Sequence, residues 1–349
     1  MRIIVAQTSF LGDVVLSTPV YAALRQHDPG THVSVLVRPE TAGVLAGHPS
    51  VDAVLTDDKR RRFGSVGVLR QLRAGRFDCA LALHKSFRTA WLLAAAGIPQ
   101  RIGFRSSAGW FFYHRCVQRD AASHDVQRNL AILAGLGVDP ARCATRPFVA
   151  CSPEATVRFQ RLLRQRGVTP GARLVGVAPG STWATKRWTV DGYAALINAL
   201  ARDEHATPIL LGARGDTGYA GAIEERTGTA VINLVGQTDL GMLIAAIDAC
   251  CMLVTNDSAP MHIAVARETP VVAIFGPTTP AQGYGPYTDR ALVVQRELSC
   301  RPCSRHGGAR CPVRTHACMT AITPAQVQAA VAQLLQDASA TARRAASPP

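Results

Sequence analysis

Two segments in the second half of the chain have the make-up of a floor for a phosphorylated ligand. An apolar run, Met252-Leu253-Val254, stops at Thr255-Asn256-Asp257-Ser258. An amphipathic stretch follows through Pro260, Met261, Ile263, Ala264 and Val265, and a second apolar run, Val271–Phe275, closes at Gly276-Pro277-Thr278. That order predicts strand–helix–strand, with Asn256, Asp257 and Ser258 as helix caps and Pro260 in the first turn. A helix N-terminus favours an anion, and small residues let backbone N–H groups come close. Asp257-Ser258-Ala259 and Gly276-Pro277-Thr278 are therefore expected to contact the phosphates. Residues 179–188, PGSTWATKRW, bring Ser181, Thr182 and Thr185 ahead of Lys186 and a coming helix, which also suits phosphate oxygens. The GxxxxGK spacing of a Walker A loop is absent.

The first half offers a carboxylate and a set of cations. Asp13 follows Gly12 where a strand and a loop give way to a helix, a place where a carboxylate ordinarily caps or faces the helix dipole. Lys85, Ser86 and Arg88 follow an apolar strand, FDCALAL, and Arg105 follows GIPQRIGF. Ligands of open α/β sheets bind beyond such strand ends. The cysteines fall into six scattered ones and a cluster, Cys300-x2-Cys303-x7-Cys311-x6-Cys318, with His306 and His316 close by. One CxxC plus two further Cys is a zinc pattern, but the second pair lacks that spacing, so free thiols or a redox-sensitive loop stay open. A pair of Asp one residue apart is a common way to hold Mg²⁺ or Mn²⁺ on a phosphorylated ligand, and no two Asp stand so in this chain.

The totals bound the class. With 349 residues the chain has room for two ordinary domains; 48% hydrophobic and 18% charged residues make it globular. No run of eighteen apolar residues suggests a spanning helix. Met1-Arg2-Ile3-Ile4-Val5-Ala6 enters a strand at once, without a signal-peptide design, so a cytoplasmic protein is expected. The net charge of +14 suits a polyanion: nucleic acid, an anionic membrane surface or a phosphorylated glycolipid. Its densest basic segment runs from Lys59-Arg60-Arg61-Arg62 to Arg70, Arg73 and Arg76.

The elements that must hold these residues alternate. Arg2–Ala6, His32–Val37, 53–55 and 77–83 read as strands, with helices opening at Asp13, over 89–96 and over 124–137. Pro19 inside the first helix is expected to kink it or cost a hydrogen bond. Residues 138–173 form a transition containing a basic helix, 154–166. Alternation restarts with strands Leu174–Ala178, 208–212 and 231–233 and helices Val190–Arg202, 216–227 and 240–251. This is α/β, two Rossmann-like doubly wound domains, taken as 1–168 and 169–336, with a helix over 326–336 and a disordered tail, 337–349.

The motifs together resemble glycosyltransferase family 9, the ADP-heptose:lipopolysaccharide heptosyltransferases. NDSAPMH with FGPT resembles the nucleotide-sugar motif, with Ala259 where Gly is usual. Gly12-Asp13 matches the family GD, residues 179–188 its PG…KRW segment, SFR…AGIPQRIGFR its acceptor side, and the Cys/His insert after FGPT is similar too. The likeness runs from Gly12 to the C-terminal helix. It implies the GT-B architecture, two Rossmann-like domains facing a cleft, the first for the acceptor and the second for ADP-heptose. It assigns Asp13 as general base, ionised in the helix field, with Thr8 and Ser9 orienting the acceptor. Lys186 and His262 would help the leaving group, and transfer is expected to invert the sugar without a metal or other cofactor. The implied acceptor is a phosphorylated lipid A–Kdo–heptose glycolipid at the anionic inner face of the inner membrane. Alternatives are another core sugar transferase, an epimerase of the same shape, and a nucleic-acid-binding protein; the last is disfavoured by 6% aromatics and no RNA-binding signature.

Overall fold

The computed structural model describes residues 1–60 and 64–346. Arg61 and Arg62 of the basic segment lie outside that range. The chain divides into two compact units, Met1–Ala150 and Cys151–Pro349.

In the first unit, β1 (Arg2–Ala6), β2 (His32–Val37), β3 (Ala53–Thr56), β4 (Cys79–Ala82), β5 (Gln100–Phe104) and β6 (Arg115–Val117) form one sheet in the order β3-β2-β1-β4-β5-β6. Every pairing is parallel. The helices are α1 (Leu11–His27), α2 (Gly64–Ala74), α3 (Phe87–Ala95) and α4 (Asp125–Leu130). Ile3, Ile4, Val5 and Ala6 are fully buried, as a strand covered on both faces requires. The chain lays β2 and β3 on one side of β1, then returns to lay β4, β5 and β6 on the other. The switch falls between β1 and β4, where a crevice for ligands forms beyond the strand ends.

Pro19 does lie inside α1, which runs through it. Proline has no N–H to give the carbonyl four residues back. Thr18 Oγ1 donates to that carbonyl, Val15 O, at 2.7 Å, which offsets the loss.

The second unit holds α5 (Pro153–Gln165), β7 (Leu174–Ala178), α6 (Val190–Arg202), β8 (Thr207–Leu210), α7 (Thr217–Glu224), β9 (Ile232–Asn233), α8 (Leu240–Ala249), β10 (Met252–Asn256), α9 (Ala259–Ala266), β11 (Val271–Phe275), β12 (Ala291–Gln295), α10 (Ala317–Thr320) and α11 (Pro324–Ala346). Its sheet, β12-β11-β10-β7-β8-β9, is also wholly parallel. The same logic puts its switch between β7 and β10, so residues 179–188 and Asp257-Ser258 both leave from it. The core packs Trp188, Tyr193 and Val254 with Met319 and Val327 from the C-terminal helices.

Several expectations need correction. The division at Ala150 and Cys151 places the basic helix in the second unit, whereas the sequence boundary was set at 168. Composition shows the Pro-rich joint but not that α5 packs on α8. The helix expected over 124–137 is α4 followed by a 3-10 stretch, Ala131–Leu136, ended by Gly137 at φ 81°. The last helix, expected over 326–336, runs over Pro324–Ala346, into the stretch 337–349 expected as a tail; an Ala-rich composition favours helix. Strands β5, β6 and β12 and helix α2 were not anticipated. Among the described residues, no helix is long and apolar enough to cross a membrane.

Candidate active site

Asp13 sits in the first turn of α1, beside the switch of the first sheet. Its Oδ2 accepts from Phe10 N at 3.1 Å, so it does serve the helix start. The side chain is only partly exposed. Burial raises its pKa to about 7, helped by repulsion from Asp125 and opposed by the Phe10 N–H, Arg119 and Arg38. The helix field therefore does not keep it fully ionised at neutral pH. A carboxyl poised there is half base and half acid, the range in which proton transfer is most effective.

The neighbouring expected residues are more committed. Thr8 is fully buried. Its hydroxyl lies 2.8 Å from His84 Nδ1 and 3.2 Å from Thr89 Oγ1, and its carbonyl accepts from Arg38 Nε at 2.9 Å and Lys59 Nζ at 3.3 Å. Thr8 thus braces the loop and has no face for an acceptor, while Ser9 is partly exposed. Burial and the Lys59 and Arg38 charges hold the His84 imidazole neutral, down at about 4. Ser86 caps α3 by accepting from Thr89 N at 3.1 Å. Arg88 spans Asp57, at 2.7 Å, and Ser65 Oγ, at 2.6 Å. Lys85 is partly buried and Arg105 is exposed at the end of β5, two strands or about 10 Å from β1.

The second unit gathers the expected residues more closely. Lys186 Nζ meets Asp257 Oδ2 at 2.6 Å, and Thr278 Oγ1 donates to the same oxygen at 2.6 Å. Three segments far apart in sequence are tied at one carboxylate oxygen, with Lys186 and Asp257 side chains only 11% and 8% exposed. Asn256, expected as a cap, instead takes Trp188 N at 3.2 Å and Tyr193 OH at 2.9 Å and gives its amide to Pro179 O at 2.7 Å. Ser258 makes no side-chain cap bond; its hydroxyl lies 3.2 Å from Thr255 Oγ1. Ala259 opens α9 in ordinary helical conformation and is not among the residues with positive φ, so the usual Gly is not needed for backbone freedom. His262 is buried on α9.

Of the hydroxyls before Lys186, Thr182 is exposed and Ser181 is buried. Thr185 Oγ1 is taken by the Cys insert: it donates to Gly308 O at 2.9 Å and accepts from Gly308 N at 2.8 Å. His316 Nε2 is 2.8 Å from Thr185 O, and Cys303 N donates to Pro277 O at 2.9 Å. The insert therefore rests on both expected phosphate segments and leaves a small cavity of about 50 Å³ lined by Thr185, Pro277, Cys303, Gly308, Cys311 and His316. Burial raises the Cys318 thiol to about 11, and all ten cysteines are unbridged. Among the described residues, no three His, Cys, Asp or Glu side chains are arranged to hold a metal.

Two residues went unnoticed in the sequence. Arg301 binds the backbone after β11 and β12: it donates to Gly276 O, to Arg296 O and, at 2.8 Å, to Thr278 O. Asp216 meets Arg187 at 3.1 Å beside Ser181 O, and burial raises its pKa. Lone charged residues carry no spacing signal, so only Arg301's place inside the Cys insert hinted at a role.

The pattern that defines glycosyltransferase family 9 (heptosyltransferase) matches residues 66–311. The chain belongs to glycosyltransferase family 9. Lipopolysaccharide heptosyltransferase 2 of Salmonella typhimurium is 28% identical over 298 residues, 80% of this chain and 84% of the relative. A family 9 glycosyl transferase from Veillonella parvula has a similar structure, with TM-score 0.88 and 27% identity over 96% of this chain and 97% of its own. E. coli ADP-heptose lps heptosyltransferase II gives 0.81 and 26% over 97% and 99%. This family 9 member is thus a glycosyltransferase of the α/β, GT-B class, and heptosyltransferase II is among the proteins it most resembles.

Proposed function

We propose that this chain moves L-glycero-D-manno-heptose from ADP-heptose to the first heptose of the lipopolysaccharide inner core, with inversion and without a metal ion. The observation that carries the chemistry is the Asp13 carboxyl, partly buried at the sheet switch with its pKa raised to about 7. It takes the proton of the acceptor hydroxyl as that oxygen attacks the anomeric carbon from the side away from ADP. The bond between that carbon and the ADP oxygen breaks, and charge grows on the diphosphate. Lys186 is assigned to that charge: one Nζ donor goes to Asp257, and an ammonium carries three. Backbone N–H groups at the start of α9 and the Thr182 and Ser258 hydroxyls complete the set, while Thr278 holds Asp257 in place. Lys85 and Arg105 serve the acceptor's phosphates, and the protein works at the cytoplasmic face of the inner membrane.

The likeness to heptosyltransferase 2 supports the heptosyl acceptor. Comparing Kdo2-lipid A with heptosyl-Kdo2-lipid A tests it: ADP release is expected with the second, and release with the first alone points to the earlier transfer step. The metal-free reading rests on the lack of an Asp-x-Asp pair. Transfer is expected to persist in excess EDTA; loss restored by Mg²⁺ contradicts it.

A further inference from the structure

The first unit carries an exposed aromatic cap with no role in the chemistry above. Phe87 is 51% exposed, Trp110 51%, Phe111 57% and Trp91 38%. Phe111 ties the cap together, with its ring centroid 6.1 Å from Phe87, 6.1 Å from Trp110 and 4.7 Å from Phe112. Trp91 lies one turn beyond Phe87 on the same face of α3. The turn 107–113 is held against that helix: Ala108 N donates to Lys85 O at 3.1 Å, and a Cβ on Gly109 would come within 2.4 Å of Ala90 Cβ. The close approach, which Gly109 permits, pushes Trp110 and Phe111 outward beside Phe87.

Large apolar side chains grouped on a surface mark a partner. The charge around them says which kind. Between Asp78 and Asp120 there is no acidic residue, while Lys85, Arg101, Arg105 and Arg115 are cationic; Arg88 and Arg119 are paired with Asp57 and Asp125. Arg73 reaches the far end of α3, donating to Ala95 O at 2.9 Å. Two copies joined through this patch would set like charges against each other, since a two-fold interface places the same patch on both sides. Trp and Phe rimmed by Arg and Lys suit the headgroup layer of an anionic bilayer. The helix that carries the patch also packs on the loop before Asp13: α3 turns Thr89 inward to Thr8, at 3.2 Å, while Phe87 and Trp91 are exposed.

We propose that Phe87, Trp91, Trp110 and Phe111 form the surface by which this protein lies on an anionic lipid bilayer, bringing the Asp13 loop to a lipid-linked acceptor. The link to the acceptor rests on the function proposed above; the bilayer contact can be tested without it.

The test is sedimentation of the whole protein with phosphatidylcholine vesicles, with and without phosphatidylglycerol and with no acceptor present. Wild type is expected to bind the anionic vesicles far better. Trp110→Ser/Phe111→Ser, and separately Trp91→Ser, are expected to cut that binding by about ten-fold or more, while Val157→Ser, an exposed apolar residue of the second unit, leaves it unchanged. Unaltered melting temperatures show that the variants are folded. Transfer to a deacylated acceptor is expected to be equal in all four proteins; no transfer in any of them removes the functional reading but not the patch. Equal vesicle binding by wild type and both patch variants overturns the proposal, as does a wild-type dimer that the variants dissociate, or binding of single-stranded RNA in place of vesicles.

Discussion

At the scale of single residues the account turns on Asp13. Its pKa moves from 3.8 to about 7, chiefly through burial. Between those values the folded chain keeps a proton that the unfolded chain has lost, so stability falls as pH rises through that window. Asp13→Asn is therefore expected to melt higher than wild type above pH 7, by on the order of 1–2 kcal/mol after allowance for solvent screening. The gap should close below the ordinary carboxylate range; a variant less stable at pH 8 contradicts the burial argument. In catalysis, kcat/KM should rise with pH through a midpoint of about 7. Arg38 pulls that pKa down, so Arg38→Gln should move the midpoint upward, and a downward move would be inconsistent with it. In the second unit Lys186→Ala leaves the Asp257 carboxylate buried without its cation. Such losses cost about 3 kcal/mol, and Lys186→Ala/Asp257→Ala is expected to recover part of the stability but none of the transfer.

At the scale of elements, each unit's candidate residues sit on loops that leave its own sheet switch, and other segments hold those loops. Arg301 spans the carbonyls after β11. Arg301→Ala is expected to raise the KM for ADP-heptose by about ten-fold with a smaller change in kcat, because the loop binds ground and transition states alike. A fall in kcat alone would place Arg301 in the chemistry. On the other loop, a Cβ on Gly180 would lie 2.3 Å from Asp216 Oδ2. Gly180→Ala should therefore destabilise, and adding Asp216→Ala should restore most of the loss; additive effects would show that the contact is not the cause. These braces explain what was legible in the chain. Apolar runs broken by small and polar residues mark strand ends, so β7, β10 and β11 and their loops could be read. Side-chain destinations could not. Asn256 looks like a cap but locks residues 179 and 188, and Thr185 looks like a phosphate donor but binds Gly308.

At the scale of the whole molecule, two sheets with the same strand order each put their switch under the residues that the motifs single out. Strand–helix alternation made that architecture readable, since each parallel step needs a crossover. The short edge strand β6 carries too few residues for a periodic signal, and the division at Ala150 lies inside a Pro-rich stretch that composition alone leaves undivided. The proposed function depends most on the Asp13 carboxyl acting as the base that deprotonates the acceptor. The most direct measurement is ADP release from ADP-heptose with heptosyl-Kdo2-lipid A, for wild type and Asp13→Asn, at pH 8. Wild type should turn over, and the variant, folded and still binding ADP, should be slower by about 10²–10⁴-fold. Equal rates in the two proteins would contradict the account.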